Sequence, residues 1–141
     1  MRFITGCAAL AIFFSASLHA NPLIDQLIGA TRDFLEQQVQ EHVASSGLQA
    51  RHEIQLSRLD HRLRLPLCND DALSASLESP ATPVGRVTVR VSCTAPSPWR
   101  LFVPAQVSLF QSVVVSTRPL SRGSVVGADD VHLAERDTGL L

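Results

Sequence analysis

The chain has 141 residues, of which 45% are hydrophobic and 18% charged, and this balance is typical of one folded domain or two small ones. Its formal net charge of -1 at pH 7 argues against a nucleic-acid partner held by bulk electrostatic attraction.

The first twenty residues have the layout of an export signal. Arg2 supplies a positive start, residues 3–14 are mostly apolar, and small residues lead to Ala20. The apolar stretch is shorter than the roughly twenty residues that a membrane-spanning helix needs. We therefore expect export, removal of the signal by cleavage after Ala20 or after Ser17, and no stable membrane insertion afterwards.

Residues 21–47 carry the pattern of one amphipathic helix. Asn21 and Pro22 suit the cap and the first position of a helix, and apolar residues then recur at steps of three and four. Gly47 suits a left-handed C-cap. A surface helix packed on its own domain is favoured over a helix that docks a partner.

Residues 48–111 predict a β-rich domain, because apolar and polar residues alternate. Strands are expected at residues 54–56, 63–68, 86–93 and 99–109. Turns or loops are expected around residues 60–61, 79–83 and 94–98, where prolines and polar residues gather. A short helix or turn is expected at Asp70 and Asp71 and the residues that follow them, 72–77.

Cys68 and Cys93 are the two cysteines that remain once the predicted signal is removed. An even pair in an exported chain favours a disulfide, and closing a loop of roughly 25 residues contributes about 3 kcal/mol in the chain-entropy picture. Two buried free thiols are the alternative. A metal site is not expected, since the chain has no Cys-x-x-Cys spacing and no His-x-x-x-His cluster.

The best candidates for partner binding are Trp99, Arg100, Phe102 and Phe110, since tryptophan and arginine are enriched in interface hot spots. Trp99 shares a face with Leu101, which favours a core role for it. Phe102 and Phe110 fall on the opposite face, where an apolar side chain needs a covering layer or a partner. No catalytic or cofactor-binding pattern is present, so no enzyme activity and no cofactor are expected.

Residues 112–141 begin with a second alternating block that ends at Thr117. Turns are expected at Pro119 and Gly123, a brief extended piece at residues 125–126, and a single helical turn at residues 128–131. Nothing after Val125 provides enough strand to close a sheet, so these residues are expected to be the opening of an incomplete domain.

Several of these segments together resemble the flagellar basal-body P-ring assembly proteins, which are periplasmic chaperones of the P-ring subunit. The resemblance rests on the leucine-alternating stretch into Cys68, the strand from Gly85 to Cys93, the Pro98-Trp99 pair, and the run from Val113 to Val131. The last of these also resembles the start of an SAF (antifreeze-like, β-clip) domain.

The resemblance implies a small α+β protein in which an N-terminal amphipathic helix packs on an antiparallel β-rich domain, followed by an incomplete SAF domain. Family members carry a complete SAF domain, whereas this sequence ends about halfway through one, which fits either a fragment of a longer protein or a naturally shortened form. The implied function is non-enzymatic: a periplasmic chaperone that binds the P-ring subunit and assists its polymerisation around the flagellar rod. The alternatives are a carbohydrate- or peptidoglycan-binding module and a pilus-assembly protein with an SAF domain. The oligomeric state is left open.

Overall fold

The computed structural model describes residues 21–140, and the predicted export signal lies outside them. One helix and five antiparallel strands follow in this order: α1 (Pro22–Ser46), β1 (Ala50–Leu56), β2 (Leu73–Ser79), β3 (Gly85–Cys93), β4 (Trp99–Ser116) and β5 (Val131–Asp137). The predicted α+β class, with a helix preceding an antiparallel sheet, is confirmed. Among the described residues, no helix is both long and apolar enough to cross a membrane.

Helix α1 begins and ends where its capping residues predict. The side chain of Asn21 accepts a hydrogen bond from the backbone N–H of Leu23 at 3.2 Å, and Pro22 occupies the first turn. At the other end, Gly47 adopts the left-handed conformation with φ of 63°. The buried residues recur every four or so positions, as an amphipathic helix requires: Leu23, Leu27, Thr31, Leu35 and Val39.

Strand β4 is the centre of the sheet, and three strands pair with it directly. β1 pairs with residues 105–111, β3 with residues 99–107, and β5 with residues 110–116. Because β1 and β5 both pair with residues 110 and 111, they must lie on opposite edges of β4. β5 therefore continues the edge occupied by β3, while β2 lies outside β3.

The core lies between α1 and one face of the sheet, which we call the inner face. In β3 and β4 the odd-numbered residues point inward, and Val89, Val91, Val103 and Val107 are completely buried against the helix. Each such side chain contributes about 1.5–3 kcal/mol relative to an exposed position. The even-numbered residues of both strands point to the opposite side, which we call the outer face.

The predicted strand at residues 63–68 is wrong, since this segment forms no strand. Its backbone is bound by side chains of α1 instead: Gln26 donates to the carbonyl of Cys68 at 2.8 Å and accepts from its N–H at 3.0 Å. Leu63 and Leu65 are partly buried against the core. The alternation of apolar and polar residues in this segment thus reflects which leucines face the core. The segment itself pairs with no strand.

Two expectations about the remaining segments are also wrong, the first of them in part. A single turn of 3-10 helix forms at Asp70–Ala72, as expected, but residues 73–77 belong to β2, because pairing with β3 prevails over the weak local preference of a serine-rich stretch. The chain after Val125 does provide a strand, β5, which pairs with the last residues of β4. The extended piece at residues 125–126 lies in no strand, whereas a single turn of 3-10 helix does form at Ala128–Asp130.

Hydrogen bonds and an ion pair join the two ends of the segment between β4 and β5. The N–H of Thr117 donates to the carbonyl of Asp130 at 2.8 Å, and the guanidinium of Arg118 lies 2.6 Å from the Asp130 carboxylate. β4 passes residue 112 without interruption, so the residues assigned to an SAF start share a strand with the rest of the sheet. That domain division and the SAF assignment stay predictions.

Cys68 and Cys93 form the expected disulfide, and both are buried. It joins the strandless segment to the last residue of β3. The disulfide therefore holds a segment that has no sheet hydrogen bonds of its own.

Candidate partner-binding face

The outer face of the sheet carries three of the four residues predicted to bind a partner. Arg100, Phe102 and Phe110 all occupy even-numbered positions of β4, opposite the side on which α1 packs. The fourth residue, Trp99, lies on the inner side of the sheet. Its side chain is partly buried against the core, and its indole N–H donates to the carbonyl of Pro66 at 2.9 Å.

Phe102 is the most exposed large apolar residue on the part of β4 that pairs with β3. Its side chain is 52% exposed although it lies in the middle of the paired region, and its cross-strand neighbour in β3 is Arg90. The Arg90 guanidinium lies 3.5 Å from the Glu78 carboxylate. Arg100, two residues before Phe102 on the same face, is exposed. An aromatic ring flanked by arginine is a frequent composition of interface hot spots.

Phe110 is covered more fully than Phe102. The guanidinium carbon of Arg51, its neighbour in β1, lies 4.1 Å from the ring centroid. Arg51 is also bound by the carboxylates of Glu135, at 2.8 Å, and Glu53, and these hydrogen bonds raise the pKa of the guanidinium. A cation above an aromatic ring is attracted by the negative charge of the ring face. Phe110 thus already has a partner within the chain.

A further apolar pair lies where β4 meets β5. Val114 and Leu133 are direct cross-strand neighbours, and their side chains are 65% and 68% exposed. Sequence reasoning missed Leu133 because no strand was expected there. Its alternation with Val131 on a short polar stretch was the available signal.

Charge is distributed unevenly over the outer face. Two arginines lie beside Phe102, namely Arg90 of β3 and Arg100 of β4, and Arg86 of β3 is paired with Gln106, midway between Phe102 and Phe110. At the Phe110 end, three carboxylates outnumber the single guanidinium of Arg51: Glu53, Glu135 and Asp137. The face is therefore cationic around its exposed aromatic ring and acidic toward β5, which gives a partner both apolar and electrostatic features to match.

The pKa of Asp137 is shifted by its position beside β4. Burial acts to raise it, but hydrogen bonds from the Ser108 hydroxyl and from the N–H groups of Leu109 and Gly139 outweigh burial and hold the pKa below its usual range. The two backbone bonds measure 3.0 and 2.9 Å. An ionised Asp137 thus fastens the end of β5 to the sheet. Within residues 21–140, no three His, Cys, Asp or Glu side chains group so as to hold a metal ion.

Comparison with known families gives a match over the central part of the chain. Residues 35–109, just over half of the 141-residue chain, match the family model described as the FlgA N-terminal domain. The matched range starts in the second half of α1 and ends in β4, so it includes the disulfide and the Phe102 end of the outer face. No curated protein and no solved structure gives a significant match.

Proposed function

Because the chain belongs to the FlgA N-terminal domain family of flagellar P-ring assembly chaperones, we propose that it binds the P-ring subunit through the outer face of its sheet, in the periplasm. The contact centres on Phe102, with Arg100 beside it. The chaperone acts by holding its client and carries out no chemical step on it.

The observation that carries this proposal is the exposure of Phe102. Phe102 is 52% exposed within a paired sheet and lies beside the exposed Arg100, and aromatic residues and arginine are the types enriched in interface hot spots. The family match supports the nature of the partner, because a P-ring assembly chaperone has the ring subunit as its client.

The edge of β4 supports a second contact with the same client. β1 ends its pairing at Gln111, so residues 112–116 have a neighbour, β5, on one edge alone within the described part of the chain. A client segment in extended conformation can add to the other edge through backbone hydrogen bonds, with Val114 beside it. Edge and face together would hold an unassembled ring subunit before it polymerises.

The disulfide supports action outside the cytoplasm. Cys68 and Cys93 are joined, and such bonds persist in oxidising compartments such as the periplasm. The predicted export signal at residues 1–20 is consistent with the same compartment.

The proposal is tested by measuring the affinity of the purified chain for the purified P-ring subunit. F102S is expected to weaken binding about tenfold or more, as truncation of a hot-spot residue does. V125S is the matched control, because Val125 is 92% exposed but lies off the sheet, in the segment between β4 and β5. Equal affinities for F102S and the unmodified chain, with both folded by circular dichroism, would contradict the proposed surface.

A further inference from the structure

A cavity of about 560 Å³ lies beside the Phe102 end of the outer face, where β1, β4 and β3 run next to one another. Its floor includes one row of directly paired residues, with Gln106 of β4 between Gln55 of β1 and Arg86 of β3. The hydroxyl-bearing residues Thr88 and Ser79 line the next row. The volume is within the range of pockets that bind small molecules or short peptide segments.

The side chain of Gln106, on the floor of this cavity, has one hydrogen-bond donor that is unpaired within residues 21–140. Its Nε2 is buried and has no hydrogen-bond partner among the described residues. A buried amide donor without an acceptor costs free energy, and native structures rarely leave one unpaired. Because that nitrogen is closed to water, an acceptor atom of a ligand removes the cost once the amide rotates toward the cavity.

Arg86 supplies a positive charge at the same place. It is exposed and takes part in none of the ion pairs within residues 21–140. The two nearest carboxylates along the adjoining strands are already engaged, since Arg51 binds Glu53 and Arg90 lies 3.5 Å from Glu78. The Arg86 guanidinium therefore remains for a ligand.

We propose that this cavity binds a carboxylate of an acidic peptide segment. The planar fork of a guanidinium matches the two oxygens of a carboxylate, and the Gln106 amide adds a further donor. This inference rests on the proposed function to the extent that the client supplies the peptide. The carboxylate can come from an acidic side chain or from a chain terminus, and the two differ in how the rest of the peptide leaves the cavity.

The test is an NMR titration of the isotope-labelled, full chain with three short peptides. They are acetyl-Ala-Glu-Ala-amide, its neutral glutamine counterpart, and acetyl-Ala-Ala-Ala with a free C-terminus. We expect the Gln106 side-chain amide and the Arg86 Nε–H signals to shift with at least one carboxylate peptide and not with the neutral one. Whichever carboxylate peptide shifts them identifies the source of the group.

Substitutions at arginine decide whether the shifts report the proposed contact. R86Q is expected to weaken carboxylate-peptide binding about tenfold or more, and raising the salt concentration should weaken binding to the unmodified chain. R122Q, which removes an exposed arginine far along the chain in the segment before β5, should leave it unchanged. Shifts of equal size with the neutral peptide, shifts that survive R86Q, or no shifts at all would each overturn the assignment.

The F102S variant separates this inference from the proposed function. If F102S retains the peptide-induced shifts but loses affinity for the ring subunit, both stand. If the peptides cause no shifts in the unmodified chain while client binding depends on Phe102, the cavity assignment alone is overturned. Peptide shifts without Phe102-dependent client binding would overturn the proposed client surface alone.

Discussion

The indole N–H of Trp99 donates a hydrogen bond to the backbone carbonyl of Pro66, with 2.9 Å between nitrogen and oxygen. Trp99 is also the cross-strand neighbour of Cys93, whose disulfide reaches Cys68. Two links, one covalent and one a hydrogen bond, thus fasten the strandless segment before β2 to the same end of the sheet. Both links indicate that Trp99 stabilises the fold. The outer face lies on the opposite side of the sheet from its side chain.

Replacing Trp99 with phenylalanine should lower the stability of the chain without changing its affinity for the client. The substitution removes the hydrogen bond to Pro66 and some packing area, so W99F is expected to lower the free energy of unfolding by about 1–2 kcal/mol. Urea denaturation measures this change. The affinity for the ring subunit should remain within about twofold. A large loss of affinity with unchanged stability would instead place Trp99 in the client contact.

Removing the disulfide should destabilise the domain and release the segment it holds. The pair encloses a loop with a sequence separation of 25, for which the chain-entropy estimate is about 3 kcal/mol. The C68A/C93A double variant should therefore unfold at lower urea concentration, and amides of residues 57–69 should exchange with solvent faster. Two freely labelled thiols in the unreduced, exported chain would contradict the disulfide itself.

Gly85, the first residue of β3, should tolerate no side chain. Its φ is +80°, and a Cβ placed there would lie 2.8 Å from the backbone oxygen of Gly139. G85A is expected to cost about 1–3 kcal/mol from the strained conformation and the clash. G29A is the matched control, since a Cβ on this helical glycine meets nothing within 4 Å and should stabilise the chain by up to about 1 kcal/mol. Thermal unfolding of the two variants should shift in opposite directions.

Asp137 should contribute stability that depends on pH. Its pKa is held below the usual range in the folded chain, so its contribution is complete above the unfolded pKa of about 3.9 and is lost as the pH falls through the lower, folded value. D137N should therefore be less stable than the unmodified chain by about 1 kcal/mol at pH 7. The difference should shrink below about pH 4. Unfolding curves at pH 7 and pH 3 check this, and a difference that stays constant would argue against the ionised hydrogen-bonded carboxylate.

The helix and the two central strands could be predicted because their local signals agree with their packing. Asn21 and Gly47 define the ends of α1, and the uninterrupted alternation of β3 and β4 corresponds to one buried and one exposed face. The disulfide followed from the number of cysteines and the export signal. These features depend on neighbours in sequence or on a single pairing.

The remaining segments depend on contacts that no local pattern contains. Residues 63–68 alternate as a strand does, yet their backbone is bound by side chains 42 residues earlier: that of Gln26 in α1 binds Cys68, and that of the cap residue Asn21 binds Leu63. β5 is too polar to be recognised alone, and it forms because β4 extends far enough to pair with it. Leu133 and the paired row around Gln106 could not be predicted for the same reason, because only the alignment of the strands brings these residues beside their neighbours.

The central claim is that the outer face, at Phe102, contacts the P-ring subunit, and site-specific photocrosslinking tests it most directly. A photoreactive residue is placed at position 102 in one strain and, as a control, at position 40 on the exposed side of α1 in another. Irradiation of cells assembling flagella should yield an adduct with the ring subunit from position 102 and none from position 40. No adduct from position 102, or equal adducts from both positions, would contradict the account.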